Sequence, residues 1–178
     1  MLFRSEALRQ RIARLSLRQG TVDEARRLVD RALRRVAEVG LEQAAGEFNR
    51  GGEPWVDRDL YLFAIDRQSR YRVLGNRPEG VGHSLYDQPN VRAEQADAFL
   101  RAAWQAHAKG GDWIEYQGTR WDTGEPVRKT GYVAPLAADL LIGCAAYRSA
   151  AADDGTTAPP NEPAAAAAEA PDEAMALI

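Results

Sequence analysis

The sequence predicts an α+β fold in which an antiparallel sheet of five to six strands packs against a long N-terminal helix. Apolar residues recur at helical spacing up to residue 52, and a period-two alternation takes over from Trp55. A second helical pattern, over residues 93–108, interrupts the strand-like segments. Because polar or glycine-containing turns separate consecutive strand-like segments, we expect neighbouring strands to be antiparallel.

The first helices have clear boundary signals. Thr21 and Glu24 form a T-x-x-E capping box that starts a helix with a broad apolar face. Gly40 is a typical C-cap for that helix. Residues 41–48 predict a short helix directly after it.

Both ends of the chain differ in composition from the predicted domain, residues 21–149. Residues 1–20 place Leu8, Ile12 and Leu15 on a narrow stripe, which predicts a coiled-coil strand and a homodimer through this helix. Arginines flank the stripe without interleaved aromatic residues, so we interpret them as solvated rather than as a nucleic-acid surface. Residues 150–178 are rich in Ala, Pro and acids, which predicts a disordered tail.

The sheet segments are predicted from alternation and turn chemistry. A strand over 59–66 and a strand over 71–74 form a hairpin, and a Gly/Pro-interrupted loop follows over 75–82. The helix over 93–108 is expected to lie on the sheet, with Gly110-Gly111 ending it. Three further strands complete the sheet, over 113–119, 127–136 and 140–147.

Composition excludes several classes of protein. The net charge is −3, and without residues 151–178 the chain carries 23 basic and 20 acidic residues. This small excess of positive charge does not indicate nucleic-acid binding. Cys144 is the only cysteine, which excludes an internal disulfide and a cysteine-rich zinc site. No segment reaches the roughly 20 apolar residues of a membrane span. We therefore expect a cytoplasmic protein without a cofactor.

Catalytic motifs are weak. Asp122-Thr123-Gly124 resembles the active-site string of aspartic proteases, but a single copy is better explained as a hairpin turn. His83 and His107 lie on different predicted elements and lack a partner at ligand spacing. No nucleophile elbow or phosphate-binding glycine loop is present. We predict that the chain is not an enzyme.

The strands carry aromatic and basic residues whose role is open. Alternation puts Trp113 on one face of its strand and Tyr116 on the other, and it separates Lys129 from Tyr132 in the same way. One interpretation is that the rings belong to the core with their polar tips at its rim. The other is a pocket with aromatic walls and one cation, Lys129 or an arginine, which suits a small carboxylate.

Several spaced strings occur in order along the chain. They are EARRLVDRALRRVAEVGLEQAAGEFN, DRDLYLFAIDRQSRYRVLGNRPEGVGHSL, GGDWIEY and VRKTGYVAPLAADLLIGCAAY. Together they resemble a single Cache domain, the sensor module of bacterial methyl-accepting chemotaxis proteins. The resemblance covers residues 21–148.

The resemblance implies a PAS-like sheet with a ligand pocket above it. By motif, Tyr61 and Phe63 would wall the pocket, Trp113 and Tyr116 would line it, and Lys129 with Tyr132 would contact a carboxylate. The implied function is a small-molecule sensor in chemotaxis with a chemoreceptor or other signalling partner. RIARLSLRQGT resembles the junction that precedes a C-terminal cytosolic domain of this kind. The alternative is a scaffold or dimerisation module whose pocket is filled by its own side chains.

Overall fold

The structure is a computed structural model, and it describes residues 19–120 and 123–148. Within these ranges there are three α-helices: α1 (Val22–Val39), α2 (Leu41–Asn49) and α3 (Ala93–Ala108). The strands of the same ranges are β1 (Val56–Asp57), β2 (Leu60–Tyr61), β3 (Phe63–Asp66), β4 (Tyr71–Leu74), β5 (Asp112–Thr119), β6 (Pro126–Ala137) and β7 (Leu140–Tyr147). The predicted coiled coil and tail lie outside the described residues, apart from residues 19 and 20.

Five of the strands form an antiparallel sheet in the order β4-β3-β7-β6-β5. This confirms the predicted α+β class. The predicted strand over 59–66 is divided at Leu62, because β2 pairs with β1 in a separate ribbon while β3 joins the main sheet. The predicted loop contains a short 3₁₀ turn at Pro78–Gly80, and another follows at Leu85–Asp87.

Helix α1 begins with the capping box that the sequence predicts. The Thr21 hydroxyl accepts from the Glu24 backbone N–H at 3.2 Å, and the Glu24 carboxylate accepts from the Thr21 N–H at 2.8 Å. That N–H and the Arg58 guanidinium lower the pKa of Glu24 to about 2. Gly40 ends the helix with φ +85°, and its N–H donates to the Val36 carbonyl. Both predicted caps are confirmed.

The sheet has an apolar core on each face. On the α1 face, Leu62, Ala64 and Ile142 pack with α1 and α2. The α3 face holds the residues that alternate with them, among them Phe63 and Leu141. Successive residues of a strand point to opposite faces, so β3 and β7 each contribute to both cores.

The connection from α3 to β5 needs glycines. Gly110 and Gly111 have φ values of +85° and +124°, and their N–H groups donate to the last carbonyls of α3. A Cβ built on Gly111 would lie 2.5 Å from the Tyr132 hydroxyl oxygen. Both the backbone conformation and this close approach favour glycine. The predicted end of the helix is confirmed.

Candidate ligand-binding cavity

A cavity of about 110 Å³ lies on the α3 face of the sheet. Its floor comes from strands β2, β3, β4, β5 and β6, and its cover comes from α3 and the segment before that helix. A single water needs at least about 10–15 Å³, so the cavity is large enough for a small organic molecule. Apolar and aromatic side chains line most of it: Tyr61, Phe63, Ile65, Tyr71, Leu74, Leu85, Phe99 and Tyr116.

The aromatic wall is held by edge-to-face contacts. The Phe99 ring lies 5.8 Å from that of Phe63 and 4.8 Å from that of Tyr116, with interplanar angles of 63° in both pairs. Burial raises the pKa values of Tyr61 and Tyr116 above the ordinary value of a tyrosine. It raises the pKa of Tyr71 to about 12. These phenols therefore stay neutral near neutral pH and can donate hydrogen bonds.

Lys129 brings a cation to the cavity from β6. Its side chain is buried, with only 7% of the residue exposed. The ammonium lies 4.9 Å from the centre of the Tyr147 ring and 5.9 Å from that of Tyr61. It has no hydrogen bond or ion pair with another residue in the described part of the chain. Desolvation lowers the pKa of Lys129 to about 8, although the charge of Asp59 opposes that shift.

The polar part of the lining comes mainly from the irregular segment between β4 and α3. The Arg77 guanidinium donates to the Gln88 side-chain oxygen at 2.8 Å. The Oδ1 atom of Asn76 is buried and accepts no hydrogen bond from the described residues. Because the segment has no hydrophobic periodicity, no sequence pattern identifies these residues. The polar lining residues of the segment are Asn76, Arg77, Gln88 and Asn90, and Gln95 of α3 adds a further amide.

Two of the six predicted site residues do not reach this cavity. Tyr61, Phe63, Tyr116 and Lys129 line it, whereas Trp113 and Tyr132 lie on the α1 face. Their rings pack edge to face at 5.3 Å, and the Arg26 guanidinium of α1 stacks on the Tyr132 ring at 4.7 Å. The structure therefore places these two residues outside the cavity, in contrast to the placement that the resemblance implies. Strand alternation is the reason, because Trp113 and Tyr116 are an odd number of positions apart, as are Lys129 and Tyr132.

The cavity is connected to the start of α1 through the segment before Tyr61. The Asp59 carboxylate accepts from the Gly20 N–H, just before α1 begins. Arg58 pairs with Glu24 of α1 at 2.8 Å. Burial raises the pKa of Asp59, and its second oxygen has no partner among the described residues. Residues 58–61 thus contact the helix at one end and the cavity at the other.

The described residues contain no cluster of three metal-ligating side chains. The His107 Nε2 lies 2.7 Å from the carbonyl oxygen of Ala137, an ordinary structural contact. Thr123 and Gly124 lie in the turn between β5 and β6, with Gly124 at φ +71°, as a hairpin interpretation predicts. Asp122 itself lies outside the described residues. No helix of the described ranges is long and apolar enough to cross a membrane.

No protein-family model matches the sequence, and no curated protein matches it. Solved structures are similar in fold. A methyl-accepting chemotaxis protein from Vibrio parahaemolyticus matches 80% of this chain over 96% of its own length, at 18% identity and a TM-score of 0.53. A Cache chemosensory domain, described for carboxylic acid recognition, matches 83% of this chain over 97% of its own, at 17% identity and a TM-score of 0.51.

The chain has the fold of a Cache chemosensory domain. The antiparallel sheet with α1 packed on it is the arrangement that the sequence resemblance implies, and the cavity lies above the sheet as the resemblance also implies. The periplasmic sensor domain of a chemotaxis protein is also similar, with 20% identity, 80% of this chain and 97% of its own covered, and a TM-score of 0.47.

Proposed function

We propose that this Cache-fold domain is a non-enzymatic sensor that binds a small carboxylate in the cavity beside Lys129. The observation that carries the proposal is a lysine with a buried side chain that lines the cavity and has no ion pair with a described residue. Charged side chains are rarely buried without a partner, because desolvation is costly. A bound carboxylate would supply the missing counter-ion.

The size and walls of the cavity limit the ligand. A cavity of about 110 Å³ suits a small ligand such as a short carboxylate. The rings of Phe63, Phe99 and Tyr116 favour an apolar chain, while Arg77 offers a second cation to an anionic ligand. One solved structure of this fold is described for carboxylic acid recognition, which supports the same ligand class.

The signal is proposed to leave through α1. Tyr61 lines the cavity, and Arg58 and Asp59 just before it contact the start of the helix. A ligand that moves Tyr61 would alter these contacts and so the position of α1. Ligand can bias the signalling state only through its different affinity for the two states. A chemoreceptor or another signalling protein in the cytoplasm would receive this change, with homodimerisation through residues 1–20.

Thermal unfolding of the purified chain against short carboxylates, amino acids and amines tests ligand binding. A ligand at about 100 times its dissociation constant stabilises by roughly 2.7 kcal/mol, which raises the unfolding temperature by several degrees. We expect a rise with carboxylates that disappears in Lys129→Met. Trp113→Phe is the matched control, since that ring lies on the opposite face, and it should keep the response.

The alternative, a scaffold whose pocket is filled by its own side chains, predicts another result. No carboxylate would then change the unfolding temperature of the wild-type chain, and Lys129→Met would affect stability alone. The open volume beside Lys129 favours the sensor. A flat response across the whole panel would favour the scaffold and contradict the proposed function.

A further inference from the structure

Lys129 is an unusual choice of cation for this chain. The sequence contains only two lysines, Lys109 and Lys129, and its other 21 basic residues are arginines. Arginine binds carboxylates with two parallel hydrogen bonds and is the better residue for pairing alone. A guanidinium stays protonated in proteins, however, whereas a buried lysine amine can lose its proton and become a nucleophile. The cation of the cavity is therefore a lysine amine, which can also react as a nucleophile.

Burial of the Lys129 side chain favours the neutral amine. The faces of the Tyr61 and Tyr147 rings oppose this effect, because they attract the ammonium, but no hydrogen bond to a described residue holds the nitrogen. Desolvation, with smaller contributions from the charges of Arg77 and Arg120, lowers the pKa of Lys129 to about 8, against the opposing charges of Asp59 and Cys144. A larger share of this amine is then neutral near neutral pH than of an ordinary lysine, which is almost entirely protonated there. Lys109, by contrast, is exposed and pairs with Asp112 at 2.6 Å.

We propose that the Lys129 amine forms a reversible imine with the carbonyl group of a small α-oxo carboxylate bound in the cavity. The inference rests on the proposed function, because the carboxylate must first bind there. The Nζ lone pair adds to the carbonyl carbon, and the carbonyl oxygen then takes up protons and leaves as water. Starting from the ammonium, the products are a protonated imine and one water, so neither an oxidant nor a reductant is required.

The cavity has groups for both ends of such a ligand. Arg77 lines the same cavity as Lys129, and its charge is near enough to affect the lysine's pKa. The Arg77 guanidinium can pair with the carboxylate of the ligand while the Lys129 amine forms its bond to the carbonyl carbon. The protonated imine keeps the positive charge at Nζ, so the ligand's anion still faces two cations.

Gly118 gives the lysine chain its space. A Cβ built on Gly118 would lie 3.2 Å from Lys129 Cδ, 3.3 Å from Lys129 Cε and 3.3 Å from the Tyr116 ring. Such contacts are tighter than ordinary van der Waals distances, so a side chain at this position would require the lysine chain or the Tyr116 ring to shift by a few tenths of an ångström. Glycine at this position therefore leaves the lysine chain in its present place.

Reductive trapping tests the imine on the whole chain. The protein is incubated at pH 7.5 with glyoxylate, the smallest α-oxo carboxylate, and with cyanoborohydride, which reduces an imine to a stable secondary amine. Intact mass reports the number of carboxymethyl groups, and peptide mapping distinguishes Lys129, Lys109 and the chain's amino terminus. We expect Lys129 to be labelled at least about tenfold faster than Lys109, because an ordinary exposed lysine is almost entirely protonated at this pH.

Matched reagents and variants make the outcome decisive. Glycolate, which carries a hydroxyl in place of the carbonyl, should bind and slow the labelling of Lys129 without forming an adduct. Lys129→Arg keeps a cation at this position and should abolish that adduct, because a guanidinium stays protonated and does not form an imine. Lys109→Arg should leave the labelling of Lys129 unchanged.

Failure of the inference can be told apart from failure of the proposed function. If glycolate raises the unfolding temperature but Lys129 is not labelled, or is labelled no faster than Lys109, the imine is wrong and carboxylate sensing stands. If glycolate and other short carboxylates have no effect on unfolding and Lys129 is not labelled, both are wrong. Labelling of Lys129 that excess glycolate cannot slow would overturn the inference as well, because the reaction would not depend on the bound carboxylate.

Discussion

The two faces of the sheet use similar residues to different ends. On the α1 face, the Trp113 and Tyr132 rings pack against each other, and Arg26 stacks on Tyr132. On the α3 face, Tyr116 and Phe99 also pack edge to face, but beside them an open cavity contains Lys129. Both faces thus combine aromatic rings with a cation. Of these two cations, Lys129 lines the cavity, whereas Arg26 lies against the packed Tyr132 ring.

The difference shows that aromatic content alone does not identify a pocket. Arg26 lies against a ring on a face that is otherwise filled by α1 and α2, so it completes the packing of that face. Lys129 lies under an irregular segment that leaves about 110 Å³ open. The α1 face should therefore respond to mutation through stability, and the α3 face through ligand binding.

The largest expected effect is a loss of stability on the α1 face. Ile142 is 0% exposed there, and Ile142→Ala should lower the free energy of unfolding by about 2–5 kcal/mol, because it leaves a void in a close-packed core. Ile142→Val should cost about 0.5–1.5 kcal/mol. Chemical denaturation measures both. The affinity of either folded variant for a carboxylate should stay within about twofold, and a larger change would mean that the two faces are coupled.

Lys129→Met should have the opposite effect on stability. The substitution removes a buried charge and keeps an unbranched chain of similar length, so the free energy of unfolding at pH 7 should rise by about 1–3 kcal/mol. Carboxylate affinity should fall at least about tenfold. Denaturation and calorimetric titration of the same samples measure the pair of effects. A variant that is less stable and still binds would show that Lys129 has a structural partner instead.

The gain in stability that Lys129→Met gives should depend on pH. The pKa of Lys129 is lowered to about 8 in the folded chain, whereas an unfolded lysine titrates near 10.4. Between these values the unfolded chain binds more protons, so the wild type becomes more stable as pH rises. The advantage of Lys129→Met should therefore shrink between pH 7 and pH 9, which denaturation at each pH measures. Cys144, whose pKa is raised to about 12, has the opposite effect but is common to both proteins.

The smallest effect is expected for Trp113→Phe. Trp113 lies away from the cavity, so the affinity for a carboxylate should change by less than about twofold. Phe99→Leu is the matched change in the cavity wall, and it should weaken binding measurably. Titration calorimetry measures the carboxylate affinity of both variants. Equal losses of affinity in the two variants would contradict the assignment of the rings to separate faces.

Much of the fold could be predicted because its signals are local. The Thr21 capping box, the Gly40 cap and the helix over 93–108 depend on short-range chemistry, and the structure confirms them. Tyr61 and Phe63, which the resemblance implies as walls of the pocket, both line the cavity. The division at Leu62 could not be predicted, since it depends on which strands pair.

Fewer residues of the cavity than of the fold could be predicted from the sequence. Trp113 and Tyr132 were placed in the pocket by motif resemblance, although strand alternation already separates them from Tyr116 and Lys129. Arg77 and Gln88 have no periodic signal, because their segment is irregular and their position depends on the tertiary fold. Whether the four cavity residues bind a ligand stays a prediction.

The most direct test of the central claim follows the Lys129 signal itself during titration. Because the chain has only two lysines, selective ¹³C labelling of the lysine ε-carbons gives one NMR signal for Lys129 and one for Lys109. We expect added propionate to shift the Lys129 signal to saturation while the Lys109 signal stays in place as an internal control. A Lys129 signal that stays fixed while propionate still raises the unfolding temperature would place the carboxylate elsewhere and contradict the account.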